Sequence, residues 1–316
     1  MVLTLIEAKA TAEAAGDFVT SSIIEQYAKT SDILRVIPWQ TISGNAVSYN
    51  RLEKLPGVGF RAVNEAYDED TGIVNPQTES LTIAGGELDV DTFLTDSFGE
   101  GIRSSQEMMK VKALALTWTR TFIKGDSSSD PRVFDGLQRR VTGSQLIANG
   151  NTSGGDALSL AKLNEAIDEV EEPTHLAMSD AMARRLNTAY QDSSVGGHIL
   201  FGVDDFGREM MSYNGLPILK FKRDGDRNHI LDFDEANPGG GTPASTSIYV
   251  LSLMPRKCFG IQGRIRGVEG INVTDLGLLQ SMPRYRTRVE WYTGLMIEHG
   301  MAVSRLWGIK DAPVVV

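Results

Sequence analysis

Gly57, Gly59 and Ala62 satisfy the spacing G-x-G-x-x-A. That spacing lets backbone approach a dinucleotide pyrophosphate when a strand precedes it and a helix follows. Here Pro56 precedes it, and the FRAVNEAY that follows reads as a strand, so the spacing is incidental. Asp68, Asp70 and Gly72 resemble the opening of a calcium loop, but TGIVNPQ follows without a closing glutamate. An acidic turn is the better reading, with loose cation binding as the alternative. His175, His198, His229 and His299 are scattered, and no two stand at metal-ligand spacing. The single cysteine, Cys258, cannot close an internal disulfide. Arg284, Arg286 and Arg288 alternate with Tyr285, Thr287 and Val289, which puts the three cations on one face of a strand. Such a face is solvated, pairs with carboxylates, or meets nucleic acid. No P-loop, G-x-S-x-G, H-E-x-x-H or C-x-x-C occurs. The expectation is a protein with no catalytic residue, no cofactor and no metal.

Composition is that of an ordinary folded soluble protein. Of 316 residues, 41% are hydrophobic and 23% charged, with a net charge of −10. That is room for about two domains. It argues against a broad nucleic-acid surface, which needs clustered Lys and Arg. The start MVLTLIEAKA lacks a basic then apolar leader, and no run approaches eighteen apolar residues. A cytosolic origin without a membrane span is expected.

The element that must position everything else is Gly99–Lys124. Met108, Val111, Leu114 or Ala115, Trp118 and Phe122 recur every three or four residues, predicting one helix of roughly 35–40 Å. Met108 and Met109 are expected to face the core. Before it, Phe18, Ile23, Ile24, Tyr27, Ile33, Leu34 and Ile37 suggest weakly amphipathic turns stopped by Pro38, lying as an arm on another surface or on their own domain. Residues 43–92 alternate thinly and carry much charge, which predicts a β-ribbon too poor in apolar residues to stand alone. Leu81 with Ile83, and Leu88 with Val90, share faces.

Beyond residue 142 the pattern is α/β. Asp156 is a candidate cap for a helix through Val170, and Ser179 for a helix carrying Met182, Leu186 and Tyr190. THLAMS, NGLPILKFK, HILDF and SIYVLSL read as strands, and EANPGGGTPAST as a flexible surface loop. PRYRTRVEWYTG and LMIEHGMAVSRLWGI are strands, with Gly294 as a turn.

This order of parts resembles the major capsid proteins of tailed bacteriophages, the Hong Kong ninety-seven-like fold. The phrases FDGL, MSYNGLPILKF and RVEWYTGLMIEHGMAVSRL also resemble family sequences. The resemblance implies an α+β chain with an N-terminal arm (1–42), an extended β-ribbon loop (43–92), a peripheral domain with a spine helix (93–141), an axial domain (142–260) and returning peripheral strands (261–316). It implies a structural subunit of an icosahedral head around double-stranded DNA, built as hexamers and pentamers of this chain. Its partners would be a separate scaffolding protein, a portal and a decoration protein, with DNA contacted weakly. It would be made in the host bacterial cytoplasm and end in the virion. Assembly contacts are expected at Arg51, Lys54, Arg61, Glu65, Asp68, Glu69 and Asp70 of the ribbon and at Arg284, Arg286 and Arg288. An encapsulin-like compartment shares that fold. An α/β hydrolase or transferase would instead need a deep pocket with converging titratable groups. A virion tail protein would be mainly β.

Overall fold

The computed structural model describes residues 31–54, 56–99, 101–190, 199–203 and 209–315. Phe18, Ile23, Ile24, Tyr27 and His198 lie outside them. In chain order the first part has α1 (Asp32–Val36), β1 (Trp39–Thr41), β2 (Ala46–Lys54), β3 (Ile73–Ser80), β4 (Thr82–Asp91), α2 (Thr92–Phe98), α3 (Gly101–Lys124), α4 (Leu137–Arg140) and β5 (Leu146–Ala148). Next come α5 (Leu160–Asp168), β6 (His175–Ser179), α6 (Asp180–Tyr190), β7 (Ile199–Val203), β8 (Glu209–Tyr213), β9 (Leu216–Phe221) and β10 (Thr246–Leu251). The chain ends with β11 (Cys258–Gln262), β12 (Arg264–Ile265), β13 (Val268–Glu269), β14 (Ile271–Leu278), β15 (Arg284–Ile297) and β16 (Val303–Ile309).

The long helix forms where its stripe predicts. Val111, Leu114, Ala115, Trp118 and Phe122 are buried, joined by Thr119 and Ile123. Met108 and Met109 are half-exposed instead, because the first turns of α3 project beyond the core, whose first helical member is Val111. Gly99, at φ 82°, breaks the chain between α2 and α3, so the helix starts two residues later than its pattern suggested. At its other end, a side chain on Gly125 would strike the Phe134 carbonyl, and this close approach fixes the exit.

Two sheets sandwich that stripe. In the first, β15 is the centre: it pairs antiparallel with β11, β14 and β4, while β1 runs parallel to β11. β4 was expected within the free ribbon. It is a sheet strand, in register with β15 from Thr82↔Thr293 to Asp91↔Arg284. Leu88 and Val90 do share its inner face, whereas Ile83 is exposed. Gly294 is no turn. It lies inside β15, where a side chain would press on Ile261 and the Ser80 carbonyl. The second sheet has the order β5-β16-β10-β6-β9-β8-β7. The last strand, β16, thus crosses into this sheet, although residues 261–316 were expected in the first. Nearly all of β16 is buried, as a strand flanked by β5 and β10 requires.

One core joins the two sheets. It combines the α3 stripe, Val289, Trp291 and Leu295 of β15, and Ala177, Leu219, Tyr249 and Leu251 of the second sheet. Ile33, Leu34, Ile37 and Trp39 belong to it, so residues 31–42 are not a detached arm. The far face of the second sheet packs on α5 and α6 through Leu163, Ala166, Met182 and Leu186. The cap of α6 is as expected, with Ser179 Oγ accepting from the Met182 amide at 3.2 Å. Asp156 is not a cap: α5 starts four residues later, and the carboxylate accepts from the Thr152 amide. HILDF is not a strand. Ile230 and Leu231 are buried as loop residues, tied by an isolated bridge between Arg223 and His229.

The loop after β9 also differs from its composition. Glu235 and Asn237 are buried, and Gly239 is so close to Asn151 and Thr152 that a side chain could not fit. The Gly240 carbonyl accepts from the Gly154 amide and from Ser153 Oγ. Deleting Gly239–Gly241 should therefore destabilise the subunit by about 1–3 kcal/mol, while shortening Thr242–Ala244 by one residue should not. Thermal melts of both variants decide. An unchanged midpoint for the glycine deletion would return this loop to the surface.

His175 sits at the junction of α1 and β6. Burial, with the Arg35 guanidinium as the next cause, pulls its imidazole down to about 4. The unfolded chain binds that proton nearer 6.5, so this contribution is complete above pH 6.5 and is lost as pH falls toward 4. It amounts to about 3 kcal/mol. His175→Gln should flatten the stability profile in that window. Urea melts at several pH values read it directly, and identical slopes for parent and variant would contradict it.

Candidate assembly surfaces

The ribbon consists of β2 and β3 alone, antiparallel from Ala46↔Ser80 to Lys54↔Ile73. Between them residues 56–72 form no strand, contrary to the strand expected over FRAVNEAY. Val58 is 96% exposed, Phe60 109% and Val63 88%. Local bonds shape this tip. The Gly57 amide donates to Asp70 Oδ2 at 2.9 Å, and the Ala62 amide to Glu65 Oε2 at 2.9 Å. Arg61 donates to the Glu65 carbonyl at 3.3 Å and covers the Tyr67 ring at 5.1 Å. Asp68 and Glu69 face solvent. The glycine pattern and the acidic run are thus parts of one turn, from which Val58, Phe60, Val63 and Tyr67 face water.

The ribbon's root is anchored firmly. Arg140 makes a two-pronged ion pair with Glu79, and Tyr49 donates its hydroxyl to the Ile297 carbonyl at 3.0 Å. Ile42, Phe259, Ile261 and Met296 form a small core there, with Val47, Tyr49 and Leu81 against it. Arg51 borders a polar hollow of about 340 Å³ beside Gly300. Lys54 ends β2 opposite Ile73. Root residues and tip residues are therefore separated by the length of the strands, roughly 25–30 Å.

The basic strand face is spent internally. Arg286 pairs with both oxygens of Asp89 at 2.7 Å and with Glu87 at 3.0 Å, and Arg288 Nε meets Glu87 at 3.0 Å. Those carboxylates stand on β4, directly across the ladder. The Arg286 bonds hold the Asp89 carboxyl below its usual range. Arg284 alone of the three is exposed.

A groove of about 320 Å³ runs between β4, α3 and β15, lined by Ala84, Gly85, Leu114, Trp118, Phe134 and Val289. Lys110 and Arg132 stand at it. Gly85 has no side chain because the Val289 carbonyl lies where one would begin, and Lys110 lies over Gly86. Lys110 and Arg132 are the titratable groups among its lining residues, and no carboxylate joins them there. Cys258 is buried and its thiol is pushed up to about 12, which leaves it inert.

No protein-family model matches the sequence, and no curated protein does. Solved structures match over most of the chain. The SrpI encapsulin of Synechococcus elongatus PCC 7942 superposes with a TM-score of 0.65 at 16% identity, over 90% of this chain and 89% of that one. A chain of Microbacterium phage Oxtober96 gives 0.62 at 13% identity, over 88% and 90%. A capsid chain of the native GTA particle gives 0.61 at 13% identity, over 89% and 90%. The chain has the Hong Kong ninety-seven-like capsid fold.

On this capsid fold the expected site residues fall into separate groups. Arg61, Glu65 and Asp70 build the ribbon tip, and Asp68 and Glu69 decorate it; Arg51 and Lys54 lie on β2; Arg286 and Arg288 tie β15 to β4. The structure does not gather them at one place. Sequence reasoning missed the apolar side chains that dominate the tip, because Val58 and Phe60 alternate as a buried strand would. It also missed the exposed Phe93 and Phe98 of α2, at 71% and 70%.

Proposed function

We propose that the chain is a structural, non-catalytic subunit that assembles with copies of itself into the hexamers and pentamers of an icosahedral phage head enclosing double-stranded DNA. The observation that carries this reading is a water-exposed apolar tip on an extended ribbon, on a chain about nine-tenths of which follows a capsid fold. A free subunit gains nothing from such a tip; a neighbouring copy covers it. The division into arm, ribbon, peripheral and axial parts belongs to the same proposal, with its boundaries moved so that residues 31–42 and β4 join the body and β16 the second sheet. So do a separate scaffolding protein, a portal, a decoration protein and residence in the virion. Lys54, Arg51 and the acidic tip residues act here as contacts between copies, and Arg286 and Arg288 as supports within one copy. Expression of the full chain with sedimentation and electron microscopy tests the reading. Closed shells are expected, and a subunit that stays monomeric at high concentration with its phage partners present would overturn it.

A second reading, an encapsulin-like compartment, is favoured by the 0.65 TM-score with the Synechococcus encapsulin. The contents of purified shells separate the two: double-stranded DNA from infected cells supports the head, and a folded enzyme as cargo supports the compartment.

A further inference from the structure

The chain carries a net charge of −10, yet one face gathers five cations, four of which pair with no carboxylate among the described residues. It surrounds a shallow hollow where α3 meets the end of β9, lined by Asp32, Leu116, Thr119, Lys220, Lys222 and Arg223. Lys112 and Arg120 stand one helical turn to either side of Leu116 and are exposed. Among the described residues Lys112, Lys220, Lys222 and Arg223 have no ion-pair partner. The nearby carboxylates are already engaged. Asp32 accepts from the Lys220 amide at 3.3 Å and lies 3.7 Å from Arg35. Asp224 is buried and accepts from the amides of Asp226 and Asn228, with Arg120 at 3.8 Å. In the loop 224–228, Asp226 is the exposed carboxylate.

The contrast with the arginine strand decides what this face is for. There each strand cation that the sequence offers for nucleic acid, apart from Arg284, meets a carboxylate of β4. Here an acidic protein leaves a compact set of lysines and arginine unpaired around an open hollow. Cations in such a set repel one another, and a polyanion relieves that repulsion while releasing its own counterions. We infer that the face around Lys112, Arg120, Lys220, Lys222 and Arg223 binds the phosphate backbone of nucleic acid without reading its sequence. This rests on the shell reading and deepens it, because a face that holds packaged nucleic acid is the one turned to the lumen. The contacts are long, mobile side chains from one helix and one strand end, with no groove for base edges, so binding is weak per subunit and becomes useful through the many copies of a shell.

The test uses the full-length subunit before assembly and a fluorescent duplex of about 40 base pairs, with anisotropy read at several salt concentrations. Lys220→Glu, Lys222→Glu and Arg223→Glu are combined in one variant. A control carries the same charge change at exposed positions elsewhere, Arg256→Glu, Arg266→Glu and Lys310→Glu. The proposal expects the first variant to bind at least about tenfold more weakly, with the slope of log affinity against log salt reduced by about 2–3, since each lost phosphate contact removes about 0.9. Thermal melts check that both variants fold. Unchanged binding in the first variant overturns the proposal, as does an equal loss in the control. Displacement of the duplex by poly-glutamate at matched charge also overturns it, because the face then suits an acidic protein. Shell formation is scored separately by sedimentation: shells from a variant that no longer binds DNA leave the shell reading intact and support a dedicated lumenal face, whereas failure of the parent to form shells bears on that reading alone.

Discussion

Trp118→Ala should leave little or no soluble subunit. Trp118 is 2% exposed at the middle of α3. Its ring centroid lies 5.2 Å from that of Trp39, 5.8 Å from Trp291, 5.4 Å from Phe122 and 6.0 Å from Phe134. Its indole N–H donates to Thr293 Oγ1 at 2.9 Å. One side chain therefore touches the strand after α1, the helix itself, the loop after it and the centre of the first sheet. Truncation leaves a cavity that those rigid rings cannot close and an orphaned hydroxyl, so a loss of about 3–5 kcal/mol is expected. That is a large part of the stability of an ordinary domain. Trp118→Phe should recover part of the packing but not the hydrogen bond, and should melt between the two. Lys112→Gln, exposed on the same helix, should shift stability by about half a kcal/mol or less. Chemical denaturation of the three variants gives the ranking, and an alanine variant as stable as the parent would mean that the aromatic cluster does not hold the two sheets together.

The difference between Trp118 and Lys112 was legible in the sequence because helical periodicity is local. Spacing of three and four places residues on one face whatever else the chain does, and the buried set of α3 follows it from Val111 onward. Met108 fits the same spacing and is exposed, since spacing says which face a residue occupies but not how far along the helix the covering sheet extends. Pairing between distant strands was less legible. Leu88 and Val90 announce a strand with one buried face, but nothing local says that its partner is β15, some two hundred residues later. The same blindness made Arg286 and Arg288 look like a free basic face: their partners, Glu87 and Asp89, are remote in sequence and adjacent in space. Glycine misled in both directions. Gly294 reads as a turn and is a close strand contact, while Gly239 reads as slack and is a packing position. In each case the glycine marks a backbone approach that composition alone cannot tell from flexibility.

The ribbon tip is where sequence pattern and structure diverge most, and it carries the other large expected effect. Val58→Ser, Phe60→Ser and Val63→Ser, combined, should abolish shells while leaving the subunit as stable as the parent. In the subunit these side chains are nearly or fully exposed and touch no core, so removing them costs the isolated fold almost nothing. In an assembly each burial is worth about 1.5–3 kcal/mol for a large apolar side chain and somewhat less for valine. Together they supply roughly 4–6 kcal/mol per contact, which corresponds to a weakening of about a thousandfold or more. The tip cannot find that burial on its own body. The body's apolar groove begins at β4, immediately after the ribbon's return strand, and β2 and β3 hold the tip some 25 Å or more from it. In the proposed shell a neighbouring copy brings apolar surface within reach. Hydrogen exchange supplies an independent readout: amides over Val58–Tyr67 should exchange freely in the unassembled subunit and become protected in shells, because in the free chain these residues have no strand partner and little beyond the bonds from Gly57 and Ala62 to hold them. Protection of those amides in a monomer, a drop in the thermal midpoint of the serine variant, or shells that form at the parental concentration would each show that the tip is already satisfied within one copy, and the ribbon would lose its role as the arm that joins neighbours.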